Sequence, residues 1–186
     1  MARYSNVVGF DDAPFPRDYR GDVPLVGAVF CGLRLDGIVV GKVRRDGANA
    51  ARVVADLVST SKFAPQLQLI LLQGVAVAGF NVVDVNWLHR RVALPVLVVV
   101  RRAPRMARVR KALARVRGGD RKWRLIERLG APEPLGGLYV QRIGLTRDEA
   151  QAILGRLALS GTIPEPLRVA HLLAGALATG QSRGRV

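Results

Sequence analysis

Val7-Val8-Gly9-Phe10-Asp11-Asp12 is the stretch on which the fold turns. Its first four residues are apolar and β-prone, and they read as a buried strand, Val7 to Phe10, that breaks at two adjacent carboxylates. Paired like charges at the end of a buried strand are costly unless something positive neutralises them. A divalent metal does so, and phosphate chemistry is the usual task of such a metal. A strand running out into a solvated turn is the alternative, since Pro14 and Pro16 follow at once.

Downstream of this strand, Pro24 to Leu33 is a longer apolar run. Asp36-Gly37 is a two-residue turn signal that folds the chain back into Ile38 to Val43, predicting a hairpin. Asp46-Gly47 stops that third strand, and Ala48 to Ser59 carries apolar residues at helical spacing. Leu67 to Leu72 and Pro95 to Val100 read as buried strands, separated by a Gly-punctuated loop, Gly74 to Gly79, and a helix from Asp84 to Arg91. A basic helix then runs to Gly118-Gly119, with Met106, Val109, Leu113 and Val116 as its apolar stripe. A short helix around Trp123 to Leu129, a Pro/Gly loop and a strand from Leu138 to Ile143 follow. The capping box Thr146-Arg147-Asp148-Glu149 opens a helix towards Leu159, and Pro164-Glu165-Pro166 introduces a last helix, Leu167 to about Thr179. Residues 181–186 are expected to form a flexible tail. The order predicts an α/β fold: a mixed sheet of three antiparallel strands, then alternating helices and strands, flanked by helices. The ribonuclease H-like architecture has this order and sets acids at strand ends.

At 186 residues, 49% of them hydrophobic, the chain can build one domain with a substantial core, and the composition argues against wholesale disorder. Its apolar runs are far shorter than the ~20 residues that cross a bilayer, and no charged-then-apolar leader opens it, so no membrane partner and a cytoplasmic location are expected. A single cysteine, Cys31, can form no intramolecular disulfide and reads as a buried, inert thiol. The net charge of +15 raises the case for a polyanionic partner. Arg101, Arg102, Arg105, Arg108 and Lys111 open a basic stretch containing one acid, Asp120, and a face of single sign points to phosphate-backbone contact.

Four motifs fall in an order that resembles endonuclease V: Gly9-Phe10-Asp11, Arg44-Arg45-Asp46-Gly47, Leu71-Leu72-Gln73-Gly74, and Ile163-Pro164-Glu165-Pro166-Leu167-Arg168-Val169-Ala170-His171. More closely, the chain resembles the archaeal endonuclease V-related family named endonuclease dU. Ala78-Gly79-Phe80-Asn81-Val82-Val83-Asp84, Leu94-Pro95-Val96 and Gly180-Gln181-Ser182-Arg183 support this. The resemblance implies a Mg²⁺-dependent endonuclease (Mn²⁺ serving as well) that cleaves nucleic acid, DNA above all, near deaminated bases such as deoxyuridine or deoxyinosine, in DNA repair. It implies Asp11 and Asp46 as metal-holding catalytic carboxylates and His171 as a further catalytic residue. Endonuclease V has an aspartate where Gln73 stands; Gln offers a carbonyl oxygen but no charge, so one metal rather than two is expected, with Asp12 or Asp84 as compensating acid. The Tyr wedge of endonuclease V is absent, Val39-Val40-Gly41-Lys42 standing in its place.

Several residues carry two readings. Gly74 and Gly79 allow either close approach of an extruded base or simply a tight turn. Arg101 either meets the scissile phosphate or belongs to the general basic face. Asp84 reads chiefly as a helix N-cap, His89 as a surface or packing residue, and Trp87 and Trp123 as core. A non-catalytic nucleic-acid-binding protein on the same scaffold, with a degenerate metal site, is the alternative function; a subunit whose basic face meets an acidic protein is a third.

Overall fold

The computed structural model describes residues 4–182. Strands β1 (Asn6–Asp12), β2 (Asp22–Cys31) and β3 (Arg34–Arg44) form an antiparallel meander. Helix α1 (Ala50–Thr60) and a 3-10 turn (Ala64–Gln66) return the chain to β4 (Leu69–Gln73), parallel to β1. A small ribbon, β5 (Ala76–Val77) with β6 (Asn81–Val82), and helix α2 (Val85–Val92) lead to β7 (Val96–Val100), parallel to β4. Helices α3 (Met106–Leu113) and α4 (Gly119–Leu129) precede the hairpin β8 (Glu133–Leu135) and β9 (Leu138–Ile143), which pairs antiparallel with β7. Helices α5 (Arg147–Leu157) and α6 (Glu165–Thr179) complete the described chain. Seven strands make one mixed sheet in the order β3-β2-β1-β4-β7-β9-β8. Among the described residues no helix is long and apolar enough to cross a membrane.

The two-residue period of a strand sorts the central side chains onto two cores. Val8, Phe10, Ile70, Leu72, Val96 and Val98 join Val54, Val58, Val85 and Leu88 of α1 and α2. Val7, Leu69, Leu71, Leu97 and Val99 join Ile153, Leu157 and Leu167 of α5 and α6. Both faces of β4 and β7 are thus covered, which is why these strands read as unbroken apolar runs. Phe10, Leu71, Leu72 and Leu97 are fully buried, each contributing on the order of 1.5–3 kcal/mol. Helix α6 crosses β1 so closely that a Cβ on Gly9 would lie 2.6 Å from the Pro166 carbonyl carbon. Glycine inside a strand pattern answers this close approach of two backbones.

The hairpin turn differs from the expectation. It falls at Gly32-Leu33, with Gly32 at φ +60, and not at Asp36-Gly37. Val29 pairs with Gly37 and Phe30 with Leu35, so Asp36 is the extra residue of a β-bulge inside β3. Gly37 serves packing there, since a Cβ would sit 2.2 Å from the ring of Phe63. The basic helix also stops early, at Leu113. Gly118 reverses the chain at φ +71, and Gly119 lies so close that a Cβ would fall 1.9 Å from the Leu113 carbonyl oxygen. The tight helical hairpin lets Leu113 and Ile126 both reach Val82 on the small ribbon. In the expected Pro/Gly loop, Gly136 and Gly137 (φ +59 and +77) make the turn of the β8–β9 hairpin. The capping box forms as read, Thr146 Oγ1 accepting the Glu149 N–H at 3.2 Å and Glu149 Oε2 the Thr146 N–H at 2.8 Å. The tail expectation lies, from residue 183 onward, outside the described residues.

Candidate functional site

Three adjacent parallel strands, β1, β4 and β7, end on the same edge of the sheet. Because Val7, Leu69, Leu71, Leu97 and Val99 point to the α6 side, the two-residue period aims Asp11, Gln73 and Arg101 to that side as the strands run out. Asp11 is 6% exposed and lies on β1 itself, which continues through Asp12 instead of breaking at Phe10. From α6, His171 Nδ1 bonds Asp11 Oδ2 at 2.8 Å, joining residues 160 apart in sequence. The bond to Asp11 raises the His171 pKa above its ordinary value; burial and the nearby Arg101 charge oppose the rise, and Asp12 adds to it. Gln73 Oε1 is buried with no hydrogen-bond partner among the described residues.

Asp12 carries the second charge at this edge. Its Oδ2 accepts the Ala78 N–H at 2.8 Å, and its own N–H donates to Asp11 Oδ1 at 3.0 Å. Burial and, after it, the neighbouring Asp11 push its pKa up to about 6, against the pull of those amides and of His171. A cleft of about 500 Å³ opens beside the pair, lined by Asp11, Asp12, Phe15, His171, Gly175 and Thr179.

Asp46 lies elsewhere. It follows β3 in a left-handed conformation, φ +52. Its N–H donates to Ala78 O at 2.9 Å, its Oδ1 accepts the Phe80 N–H at 2.8 Å, and its Oδ2 pairs with Arg45 Nε at 3.3 Å. Its carbonyl oxygen accepts Lys122 Nζ at 2.5 Å. Asp46 lines a second cleft with Asp84 and Lys122, not the cleft of Asp11. Asp11 and Asp46 thus line different clefts, and Asp12 stands beside Asp11. Among the described residues no three His, Cys, Asp or Glu side chains gather at metal-holding distance. Asp11 and Asp12 line one cleft, and carboxylates with an orphaned amide oxygen on the neighbouring strand are the kind of donors that one Mg²⁺ takes, since it binds few protein oxygens and keeps several waters.

The remaining expectations sort by environment. Gly79, at φ +81, has room for no side chain, because a Cβ would lie 2.5 Å from Asp46 Oδ1. Gly74, at φ +82, turns the chain after Gln73 while its N–H donates to Val99 O at 3.0 Å. Arg101, Arg102, Arg105, Arg108 and Lys111 are all exposed, and of these Arg101 alone bears on His171. Asp84 caps α2 through the Trp87 N–H at 2.9 Å. His89 Nδ1 bonds Leu94 O at 2.7 Å, Trp87 packs against the core, and Trp123 lies under the Arg110 guanidinium. Cys31 is only half-buried. Lys122 belongs to the basic stretch by sequence, but it is buried and not part of an exposed face. It is 4% exposed and sits four residues before the buried Ile126, so a cation in an apolar helical stripe was the signal of its burial.

Sheet order and strand-end site define a ribonuclease H-like protein, and solved structures agree. Endonuclease V from Bacillus subtilis superposes with a TM-score of 0.61 at 12% identity, covering 95% of this chain and 81% of that one. Ciona intestinalis endonuclease V, in complex with a 23mer DNA containing an inosine followed by a ribo-adenosine, gives 0.59 at 13% identity, covering 91% and 83%. A protein of unknown function from Archaeoglobus fulgidus gives 0.87 at 32% identity, covering 92% and 97%. Residues 3–178 match the endonuclease dU family, and the chain belongs to it. A UPF0215 protein of Deinococcus radiodurans is 56% identical over 184 residues, 98% of this chain and 94% of its own length. Another from Methanothermobacter thermautotrophicus is 42% identical over 183 residues, 96% and 90%. Family and fold together support a nuclease-related role.

Proposed function

We propose that the protein is a metal-dependent endonuclease of DNA repair that cleaves nucleic acid near deaminated bases. The observation that supports this reading is the Asp11–His171 hydrogen bond at the edge where β1, β4 and β7 end, with the unpartnered Gln73 on the neighbouring strand and Arg101 alongside. Asp11 and Asp12, with Gln73 Oε1, would hold one Mg²⁺ or Mn²⁺. When bound, the ion supplies an acidified water and neutralises charge on the scissile phosphate. His171 is fixed through Nδ1 by Asp11, which leaves Nε2 to take or return a proton. Arg101 meets the phosphate, and Arg102, Arg105, Arg108 and Lys111 bind the backbone on either side. Asp46, once expected as a ligand, holds the Gly79–Phe80 turn beside the Ala78 amide that Asp12 uses.

A neutral Gln73, and an Asp46 turned to another cleft, favour one competing reading: a nucleic-acid-binding protein whose metal site has decayed. Labelled strands bearing one deoxyuridine or deoxyinosine separate the two, with Mg²⁺, Mn²⁺ or EDTA present. The expected result is metal-dependent nicking, lost with EDTA and slowed about a hundredfold or more in Asp11→Asn, the scale of about 3 kcal/mol at the transition state. Binding without nicking under either metal would leave the competing reading standing.

A further inference from the structure

The cleft of about 340 Å³ that Asp46 lines is not the cleft of Asp11, and the proposed chemistry makes no use of it. Ala48, Ala51, Val82 and Leu125 give it an apolar lining, and Asp84, Lys122, Arg117 and Arg121 its charge. Lys122 is almost wholly buried, yet its ammonium has three donors and, among the described residues, one hydrogen-bonding acceptor, the Asp46 carbonyl at 2.5 Å. Desolvation lowers its pKa, with the Asp46 charge opposing, as befits a cation that lacks compensation. Asp84, which lines the same cleft, spends Oδ1 on the Trp87 N–H and keeps Oδ2 without a hydrogen-bond partner among the described residues. An apolar slot of this size with a spare donor and a spare acceptor suits a flat, polar-edged ring.

We propose that this cleft receives one extruded nucleobase and reads the edge that deamination creates, Lys122 donating to the new carbonyl oxygen and Asp84 accepting the adjacent ring N–H. Uracil and hypoxanthine both present a carbonyl next to a protonated ring nitrogen. Cytosine and adenine present the reverse, an amine next to an unprotonated nitrogen, which would set donor against ammonium and acceptor against carboxylate. Thymine and guanine share the favourable edge but sit in matched pairs, where extrusion costs more than from a mismatch. Three hydrogen bonds connect this cleft to the metal edge: Lys122 to Asp46 O, Asp46 N–H to Ala78 O, and Ala78 N–H to Asp12 Oδ2. The inference rests on the proposed function for its substrate but not for its test.

The test measures binding without cleavage. Fluorescence anisotropy in Ca²⁺ compares single strands that differ at one position, deoxyuridine against deoxycytidine and deoxyinosine against deoxyadenosine. The full chain should prefer the deaminated member by about 10- to 100-fold, the scale of one two-point base contact. Lys122→Met should bring that ratio to within about twofold of unity. Asp84→Asn, which keeps the helix cap, should reduce it as well and serves where Lys122→Met does not fold. A lysine that merely braces the Asp46 loop would leave the ratio untouched. An equal affinity of the wild type for both members, or a ratio preserved in both variants, overturns the proposal even if Asp11-dependent nicking is present. A ratio lost in the variants supports it even if no metal elicits nicking.

Discussion

Replacing Gly9 by alanine should damage the candidate site without touching a charged residue. The added Cβ would lie 2.6 Å from the carbonyl carbon, 2.7 Å from the carbonyl oxygen of Pro166 and 2.8 Å from the Leu167 nitrogen. Carbon atoms rest at about 3.5–4.0 Å, so α6 and β1 must part by about 1 Å, and backbone on both sides leaves nothing soft to yield. The same two elements carry His171 and Asp11, whose bond would lengthen from 2.8 Å to beyond hydrogen-bonding reach, roughly 3.6 Å. Overpacking of this kind costs about 1–3 kcal/mol, and for a chain of this length each kcal/mol lowers the melting temperature by about 2–4 °C. The melting temperature should therefore fall by about 2–12 °C. Losing the Asp11 bond should let the His171 pKa drop back towards its ordinary 6.5. A folded-state pKa raised above the unfolded one stabilises fully below that unfolded value and fades as pH rises through the folded value. The deficit of Gly9→Ala should accordingly be larger near about pH 6 than near about pH 8. Circular dichroism melts and an NMR titration of the histidines read both effects; the chain holds two histidines, and His89→Gln assigns them. Gly155→Ala is the control: it faces open space within α5, where alanine is favoured over glycine. Wild-type melting and an unshifted His171 in Gly9→Ala would refute the claim that helix-to-strand contact sets the site geometry.

Two further outcomes follow from the acids and the amide. Asp12, raised from 3.8 to about 6 by burial and then by Asp11, binds its proton more tightly in the folded state, so its contribution is fully present below 3.8 and lost as pH rises through 6. Metal-free protein should lose up to about 3 kcal/mol across that window, as seen in urea melts, and Asp12→Asn should flatten the loss. Gln73→Glu places a carboxylate where an orphaned amide oxygen now lies, so by calorimetry Mn²⁺ should bind more tightly than to the wild type, and without metal the variant should be less stable. Unchanged Mn²⁺ affinity would remove Gln73 from the ligand set.

The central strands were legible because periodicity and β-branched content are local properties of sequence, and β1, β4 and β7 stand where the apolar runs lie. So was the α5 capping box, which closes within four residues. Asp36-Gly37 misled because a turn dipeptide and a bulge next to a packed ring both call for glycine, and Phe63, far along the chain, decides between them. The basic stretch breaks after Leu113, and the turn at Gly118-Gly119 brings Ile126 back onto Val82 beside Leu113, a contact between distant residues.

For the candidate site, composition and motif order determined its residue types: adjacent acids ending a strand, a histidine on the last helix, an arginine after a buried strand. Which of them meet was decided by tertiary structure. Asp11 and His171 touch because Gly9 admits α6 against β1, whereas Asp46 is drawn to the amides of a turn 32 to 34 residues downstream and to a lysine 76 residues away. A chain encodes propensity residue by residue, but side-chain partnership depends on closing distances that no local pattern specifies.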